Sequence, residues 1–184
     1  MEKDREKFRV LFVCTGNSCR SSMAEGILKK ILKESKLNNF EVSSAGISTL
    51  DGAPASLFAM EVSKARDVEL SQHRSRQLNK QILKNTDLIL AMSDEHLEYI
   101  RKMDKNALGK TYLLKAFSPS RHQIGENHSA SNKDESPGVL YIKDPIGGTM
   151  DDYNQCFLEI EKEIRRVFHE LIKRAGEKNL KNRS

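Results

Sequence analysis

The sequence predicts an α/β fold, a three-layer αβα sandwich on a four-stranded parallel sheet. Three observations carry that expectation. Short β-rich apolar runs alternate with amphipathic helical stretches along most of the chain, which is the pattern of βαβ crossovers. The strand runs are nearly continuous in apolar residues, as strands covered on both faces are. The length of 184 residues fits one domain, since domains run to ~100–200 residues.

Taken in order, residues 8–13 (Phe-Arg-Val-Leu-Phe-Val) read as the first buried strand. Residues 14–21 are small and polar. Ser21 or Ser22 then caps a helix over 23–33 with Met23, Ile27 and Ile31 on one face. Residues 40–44 form a second strand, followed by Ala45-Gly46. Gly52-Ala-Pro54 opens a second helix over 55–66. A short helix over 78–84 precedes a third strand at 87–92 (Asp-Leu-Ile-Leu-Ala-Met). Ser93 or Asp94 caps a helix reaching to about Met103, and 110–114 give the fourth strand. Residues 139–142 are strand-like. A long amphipathic helix covers 153–175, with Phe157, Ile160, Ile164, Phe168 and Leu171 at helical spacing. The domain is therefore 7–175. Residues 118–138, rich in Ser, Asn and charge, are a long polar loop or insert, and 176–184 are a basic, frayed tail.

Composition removes several function classes. With 38% hydrophobic residues the chain can bury a core. Gly 10 and Pro 4 exclude collagen-like and low-complexity readings. No apolar run approaches the ~20 residues of a membrane span, and the charged start Met1-Glu-Lys-Asp-Arg-Glu-Lys7 is unlike a signal peptide. A soluble, cytoplasmic protein is expected, with no membrane partner. Three cysteines are too few for a disulfide framework. The net charge of +5 is mild and interleaved with acids. It reads as a solvated surface and a frayed end rather than a nucleic-acid or membrane footprint, and an anionic substrate is compatible with either. The five histidines show no ligand spacing, so neither metal nor other cofactor is expected.

The chemistry sits in residues 13–21, Val-Cys-Thr-Gly-Asn-Ser-Cys-Arg-Ser. This is C-x5-R between a strand and a helix. A loop of that size wraps its backbone N–H groups (Thr15, Gly16, Asn17, Ser18, Cys19) around one tetrahedral anion, phosphate or another oxyanion. Gly16 supplies the positive φ a tight turn needs, and Asn17 tolerates a left-handed conformation. Arg20 forks onto two anion oxygens. The same positive surroundings favour a Cys14 thiolate, with a pKa in the ~3.5–7.5 range of activated cysteines. Ser21 can donate to the sulfur. The Lys-Ser/Thr pair of nucleotide-binding loops is missing, as are the three glycines of dinucleotide folds.

These residues resemble the signature of the low-molecular-weight protein tyrosine phosphatase family. That group also includes protein-arginine phosphatases and thioredoxin-coupled arsenate reductases. The resemblance extends to Ser44-Ala45-Gly46, His73-Arg-Ser-Arg-Gln-Leu78, 87–92 and Asp144-Pro145. It implies a flavodoxin-like fold and a monomer or weak dimer acting on phosphorylated proteins. Read blind, Asp144-Pro-Ile-Gly-Gly is a good turn; the resemblance makes Asp144 the general acid. Cys14 then attacks phosphorus while Asp144 protonates the leaving group, and water activated by Asp144 hydrolyses the cysteinyl-phosphate. Ser44 and His73 resemble residues that hydrogen-bond the loop asparagine. Cys19 is either a small loop residue or, as the resemblance favours, the partner of a reversible disulfide with Cys14.

The resemblance also frames specificity. Arsenate reductases relay a disulfide through two further cysteines, and this chain has only Cys156 besides the loop pair. Phosphotyrosine-specific members carry aromatic residues after the Asp-Pro; here Ile146 stands there. Asp-Pro-Ile-Gly-Gly-Thr and the polar Ser18 look more like the protein-arginine phosphatases. That group has phenylalanine for Ile146 and threonine for Ser18. The expected function is a cysteine-dependent phosphatase of phosphoarginine, with phosphotyrosine as the alternative. Catalysis falls to Cys14, Arg20 and Asp144, and Thr15 to Cys19, Ser21 and Ile146 contact the substrate.

Overall fold

The computed structural model describes residues 7–117 and 140–181. The 118–138 segment, residue 139 and the last three residues of the expected tail lie outside the described residues. Strands β1 (Phe8–Cys14), β2 (Phe40–Gly46), β3 (Leu88–Ala91) and β4 (Thr111–Leu113) form one parallel sheet in the order β2-β1-β3-β4. The helices are α1 (Arg20–Glu34), α2 (Leu57–Lys64), α3 (Lys80–Lys84), α4 (Asp94–Met103) and α5 (Met150–Lys181). This is the expected αβα sandwich with flavodoxin-like strand order.

The layers follow from the two-residue period of a strand. In β1, Phe8, Val10, Phe12 and Cys14 face a core shared with Met23, Ile27 and Ile31 of α1 and Phe157, Ile160, Ile164 and Leu171 of α5. Leu11 and Val13 face the opposite way, onto a smaller core with Leu78, Leu83, Ile89, Ile100 and Ala107. Both faces are covered, so β3 is buried at every position.

Element ends differ from the sequence reading for local reasons. β2 continues to Gly46 because its pairing with β1 runs on to Cys14. α2 is shorter than 55–66: the Ser56 hydroxyl accepts from Ala59 N and starts the helix there. A 3-10 turn, Lys105–Lys110, precedes β4 and was not expected; Asp104 caps it through Asn106 N. Residues 140–142 are not a strand, although Ile142 N donates to Met92 O at 2.8 Å. α5 starts earlier than 153, where Asp152 Oδ2 accepts from Thr149 N and Thr149 Oγ1, both at 2.7 Å. It also runs past Ala175. Residues 176–181 are helical, and Lys178 Nζ reaches Asp87 Oδ2 at 2.9 Å and Lys7 O at 3.1 Å. Among the described residues no helix is long and apolar enough to cross a membrane.

Candidate active site

Strand order 2-1-3-4 reverses direction between β1 and β3, which opens a crevice at their carboxyl ends. Cys14 is the last residue of β1 and is 2% exposed. From there to α1, every carbonyl is tied down from outside the cradle. Cys14 O accepts from Ile47 N and Thr15 O from Ser48 N, both at 3.0 Å. Gly16 O accepts from Thr49 Oγ1 and Asn17 O from His73 Nε2, both at 2.6 Å. Ser18 O accepts from Ser56 N at 2.9 Å, and Cys19 O from Ser22 Oγ at 2.8 Å and Met23 N at 3.0 Å. In a trans peptide the N–H points away from the C=O, and the described chain has no cis peptide. The loop N–H groups therefore face inward around the sulfur, and Asn17 N lies 3.3 Å from Cys14 Sγ. Gly46 makes this support possible. A Cβ there would sit 2.5 Å from Thr15 O and 3.1 Å from Asn17 N.

The left-handed residue of the loop is Asn17, with φ 54; Gly16, expected to supply the positive φ, does not. The buried Asn17 amide holds that conformation. Its Nδ2 donates to Ser21 Oγ at 2.9 Å and Ser44 Oγ at 2.8 Å, and its Oδ1 accepts from Arg76 N at 3.0 Å. Ser44 donates on to Glu25 Oε2 at 2.5 Å. Ser44 and His73 thus both hold Asn17, one through the side chain and one through the carbonyl. α1 begins at Arg20 with Cys19 as N-cap and no side-chain cap. Ser21 does not cap, as its Oγ lies 2.9 Å from Cys14 Sγ, and Ser22 is committed to Cys19 O. The positive helix end is left open to an anion.

Arg20 closes the ring and is 5% exposed. Nη1 donates to Ile142 O and Nη2 to Thr15 Oγ1, each at 3.2 Å, and Nη2 also pairs with Asp144 Oδ2. Nε is one of two buried side-chain atoms without a partner among the described residues. Asp144 is delivered by the expected turn. Gly148 N donates to Pro145 O at 2.9 Å, and Gly147 has φ 75, the conformation of the third residue of a type II turn. Ile146, the second residue of that turn, is lifted to 70% exposure, and its N–H bonds Asp144 Oδ1 at 3.2 Å. Beside the turn lies a cavity of about 390 Å³ whose lining includes Asp144, Ile146, Asp152 and Glu159. Thr149 holds the Asp152 carboxyl below its ordinary pKa through its hydroxyl and N–H, while Lys143 shares the lining and Glu159 is paired with Lys115 at 2.7 Å.

The sulfur departs from expectation. Burial pushes the Cys14 thiol up, against the Ser21 hydroxyl, the Arg20 charge and the loop N–H groups, which pull it down. Asp144 is seated on Arg20, the cation whose charge pulls the sulfur down. All three cysteines are free thiols. Cys19 Sγ is held by Ser56 Oγ at 3.3 Å and Tyr153 OH at 3.4 Å. Burial and the bond to Cys19 push the Tyr153 phenol up to about 12. Burial pushes Cys156 to about 12, on the core side of α5. Sequence reasoning missed Ser48, Thr49 and Ser56, whose roles arise only on folding. It also missed His96, which bonds Thr15 and Ser93. The available signal was a histidine three residues after a capping serine, at the end of the strand beside β1.

A cysteine on the floor of an oxyanion cradle, closed by arginine and faced by a carboxyl, defines a cysteine-dependent phosphatase. The sequence matches the low molecular weight phosphotyrosine protein phosphatase family over residues 9–178, and the chain belongs to that family of phosphoprotein hydrolases. It is 35% identical to a protein-arginine-phosphatase of Geobacillus stearothermophilus over 89% of this chain and 96% of the relative. It is 38% identical to the protein-tyrosine-phosphatase Etp of Escherichia coli over 57% of this chain and 68% of the relative. Among solved structures, the arginine phosphatase YwlE with a cysteine-to-serine change and a phosphorylated active-site serine superposes with a TM-score of 0.75. It shares 30% identity and the match covers 90% of this chain and 97% of the other. The low molecular weight protein tyrosine phosphatase of T. tengcongensis gives a TM-score of 0.74 at 31% identity, covering 89% and 99%.

Proposed function

We propose that this chain is a protein-arginine phosphatase with Cys14 as nucleophile, Arg20 as oxyanion fork and Asp144 as general acid and base. The observation that carries this reading is the loop with its carbonyls tied outward, closed by a guanidinium whose Nε is buried without a partner among the described residues. The phosphate replaces the Asp144 carboxylate on Arg20. Protonated and released, Asp144 no longer offsets the guanidinium, and the full charge is returned to the sulfur, which favours the thiolate. The thiolate attacks phosphorus and the P–N bond breaks. Asp144 gives its proton to the departing guanidine nitrogen. Asp144 then takes a proton from water, the hydroxide attacks phosphorus, and the S–P bond breaks. The thiolate returns, stabilised by Ser21, and inorganic phosphate leaves. Loop N–H groups and Arg20 hold the equatorial oxygens throughout. The three thiols suit a reducing compartment, and we place the enzyme in the cytoplasm.

Phosphoarginine is favoured because its leaving group becomes a cation on protonation. The wall beside Asp144 carries the Asp152 carboxylate, together with Lys143 and a Glu159 paired to Lys115, and Ile146 stands in place of a flat aromatic wall. Agreement with the arginine phosphatases over nearly the whole chain supports the same reading. Phosphotyrosine is the second reading, favoured by the 38% identity to the tyrosine phosphatase over 105 residues. The test measures kcat/KM side by side on phosphoarginine and phosphotyrosine peptides, with arsenate plus thioredoxin as a control. The phosphoarginine peptide should be preferred by at least ~10-fold. A preference for phosphotyrosine would replace the first reading by the second.

A further inference from the structure

Ser93, His96 and Thr15 form a hydrogen-bonded chain ending on Arg20. We propose that His96 is a positioning residue for phosphoryl transfer: a neutral, buried imidazole that fixes the Thr15 hydroxyl against the guanidinium. This rests on the reading of Arg20 as the oxyanion fork. The chain bridges the crevice. Thr15 follows β1, Ser93 follows β3, and these are the adjacent strands whose loops diverge there. His96 Nε2 lies 3.0 Å from Thr15 Oγ1, and Thr15 Oγ1 accepts from Arg20 Nη2 at 3.2 Å. His96 Nδ1 lies 2.9 Å from Ser93 Oγ, so both ring nitrogens are used although the side chain is fully buried.

Ser93 shows that this ring is held at the expense of a local preference. It is the N-cap of α4 in an extended conformation, yet its side chain makes no capping bond. Ser56 and Asn79, in the same position on α2 and α3, each accept from their own helix. A serine at an N-cap ordinarily does so; here its hydroxyl orients the imidazole. Burial and the charge of Arg20, the cation facing the ring, hold the His96 pKa down to about 4, so the ring is neutral at pH 7. A neutral imidazole donates from one nitrogen and accepts at the other. With Nδ1 accepting from Ser93, Nε2–H fills the second lone pair of Thr15 and frees its hydroxyl proton for an oxyanion. In the other tautomer Thr15 donates to Nε2. In both, Thr15 keeps a lone pair for Arg20 Nη2, while Ile142 O holds Nη1 on the other arm of the fork.

The experiment measures kcat/KM on an aryl phosphate for wild type, His96→Leu, His96→Gln, Thr15→Val and the double variant Thr15→Val/His96→Leu. His96→Leu should lose ~10–100-fold, the cost of a misplaced fork, while His96→Gln, whose amide can reach the same hydroxyl, recovers most of it. In the Thr15→Val background His96→Leu should change the rate less than ~2-fold, because it acts through Thr15. Full activity of His96→Leu overturns the proposal. So does an equal loss in both backgrounds, which is what a merely structural role would give. ¹⁵N NMR of the imidazole gives a readout independent of turnover. Wild type at pH 7 should show one protonated and one bare ring nitrogen, with the Nε2 resonance moving in Thr15→Val. An imidazolium, or an Nε2 resonance unmoved by that change, would also overturn it. If wild type itself fails to turn over, the phosphatase reading fails, and the NMR result still decides the chain. If His96→Leu does not fold, Thr15→Val alone must show the rate loss and the resonance shift.

Discussion

At the carboxyl ends of β1 and β3, the residues that start α1 and α4, Cys19 and Ser93, make no side-chain capping bond to the backbone of their helices. Ser56 and Asn79, which start α2 and α3, cap theirs in the ordinary way. The contrast extends to composition. The crevice end gathers the buried polar residues Asn17, Arg20, Ser21, Ser44 and His96, and a left-handed Asn17. The core between α1, α5 and the sheet is apolar from Phe8 to Leu171. Its far end is closed by Arg174 stacked over Tyr112 and Phe117. One region satisfies local preferences and holds the fold. The other gives up local preferences to direct donors at one point, which is where chemistry is expected.

Substitutions in the two regions should separate activity from stability. Cys14→Ser should abolish turnover of an aryl phosphate by at least ~10⁴-fold, while phosphate still binds by calorimetry and the melting temperature is kept. Residual turnover near wild type would remove Cys14 as nucleophile. Asp144→Asn should slow poor leaving groups by ~10²–10⁴-fold. It should also lower the pH at which Cys14 alkylates, because a negative charge beside Arg20 is gone. An alkylation profile moved upward would contradict the role given to the Arg20–Asp144 pair.

In the apolar region the effect should reverse. Leu171 is fully buried on α5, and Leu171→Ala should cost ~2–5 kcal/mol by denaturant unfolding, with kcat per folded molecule unchanged. A drop in kcat of the folded fraction would mean the regions are coupled. His96 gives the crevice a stability signature of its own. Its ordinary value is 6.5 and its folded value about 4. Between these the unfolded chain binds a proton the fold refuses, so stability falls as pH drops through that window, by up to ~3 kcal/mol. The slope should flatten in His96→Gln, as read by urea midpoints. The smallest effect is expected at Ser18, beside Cys19 Sγ on the loop. Ser18→Ile should shift the kcat/KM ratio toward phosphotyrosine by roughly 10-fold.

The sheet, its order of elements and the C-x5-R loop were legible because each is written in contiguous sequence. The acid was legible only through the resemblance, since Asp144-Pro145 reads blind as a turn, and the structure does place a turn there. Of the outward ties on the loop carbonyls only that of His73 to Asn17 was legible, and through the resemblance. Ser48, Thr49 and Ser56 reach the loop from positions 33 to 38 residues away, and Ser and Thr are common in any loop. Gly16 misled because glycine is permissive, whereas Asn17, whose tolerance of the left-handed conformation was legible, is held there by Ser44, expected through the resemblance, and by Ser21 and Arg76, whose bonds to it arise only on folding. The end of α5 was drawn at Ala175 because apolar periodicity stops there. The helix continues on polar anchors, Lys178 to Asp87 among them.

The most direct measurement is a crystal structure with vanadate, which mimics the five-coordinate transition state. The metal-oxo ion should sit within bonding reach of Cys14 Sγ. Its equatorial oxygens should accept from the N–H groups of 15–20 and from Arg20 Nε and Nη2, with Asp144 moved off Arg20 toward the apical oxygen. Vanadate bound outside this loop, or a saturated crystal in which Asp144 still holds Arg20 and the cradle is empty, would contradict the account.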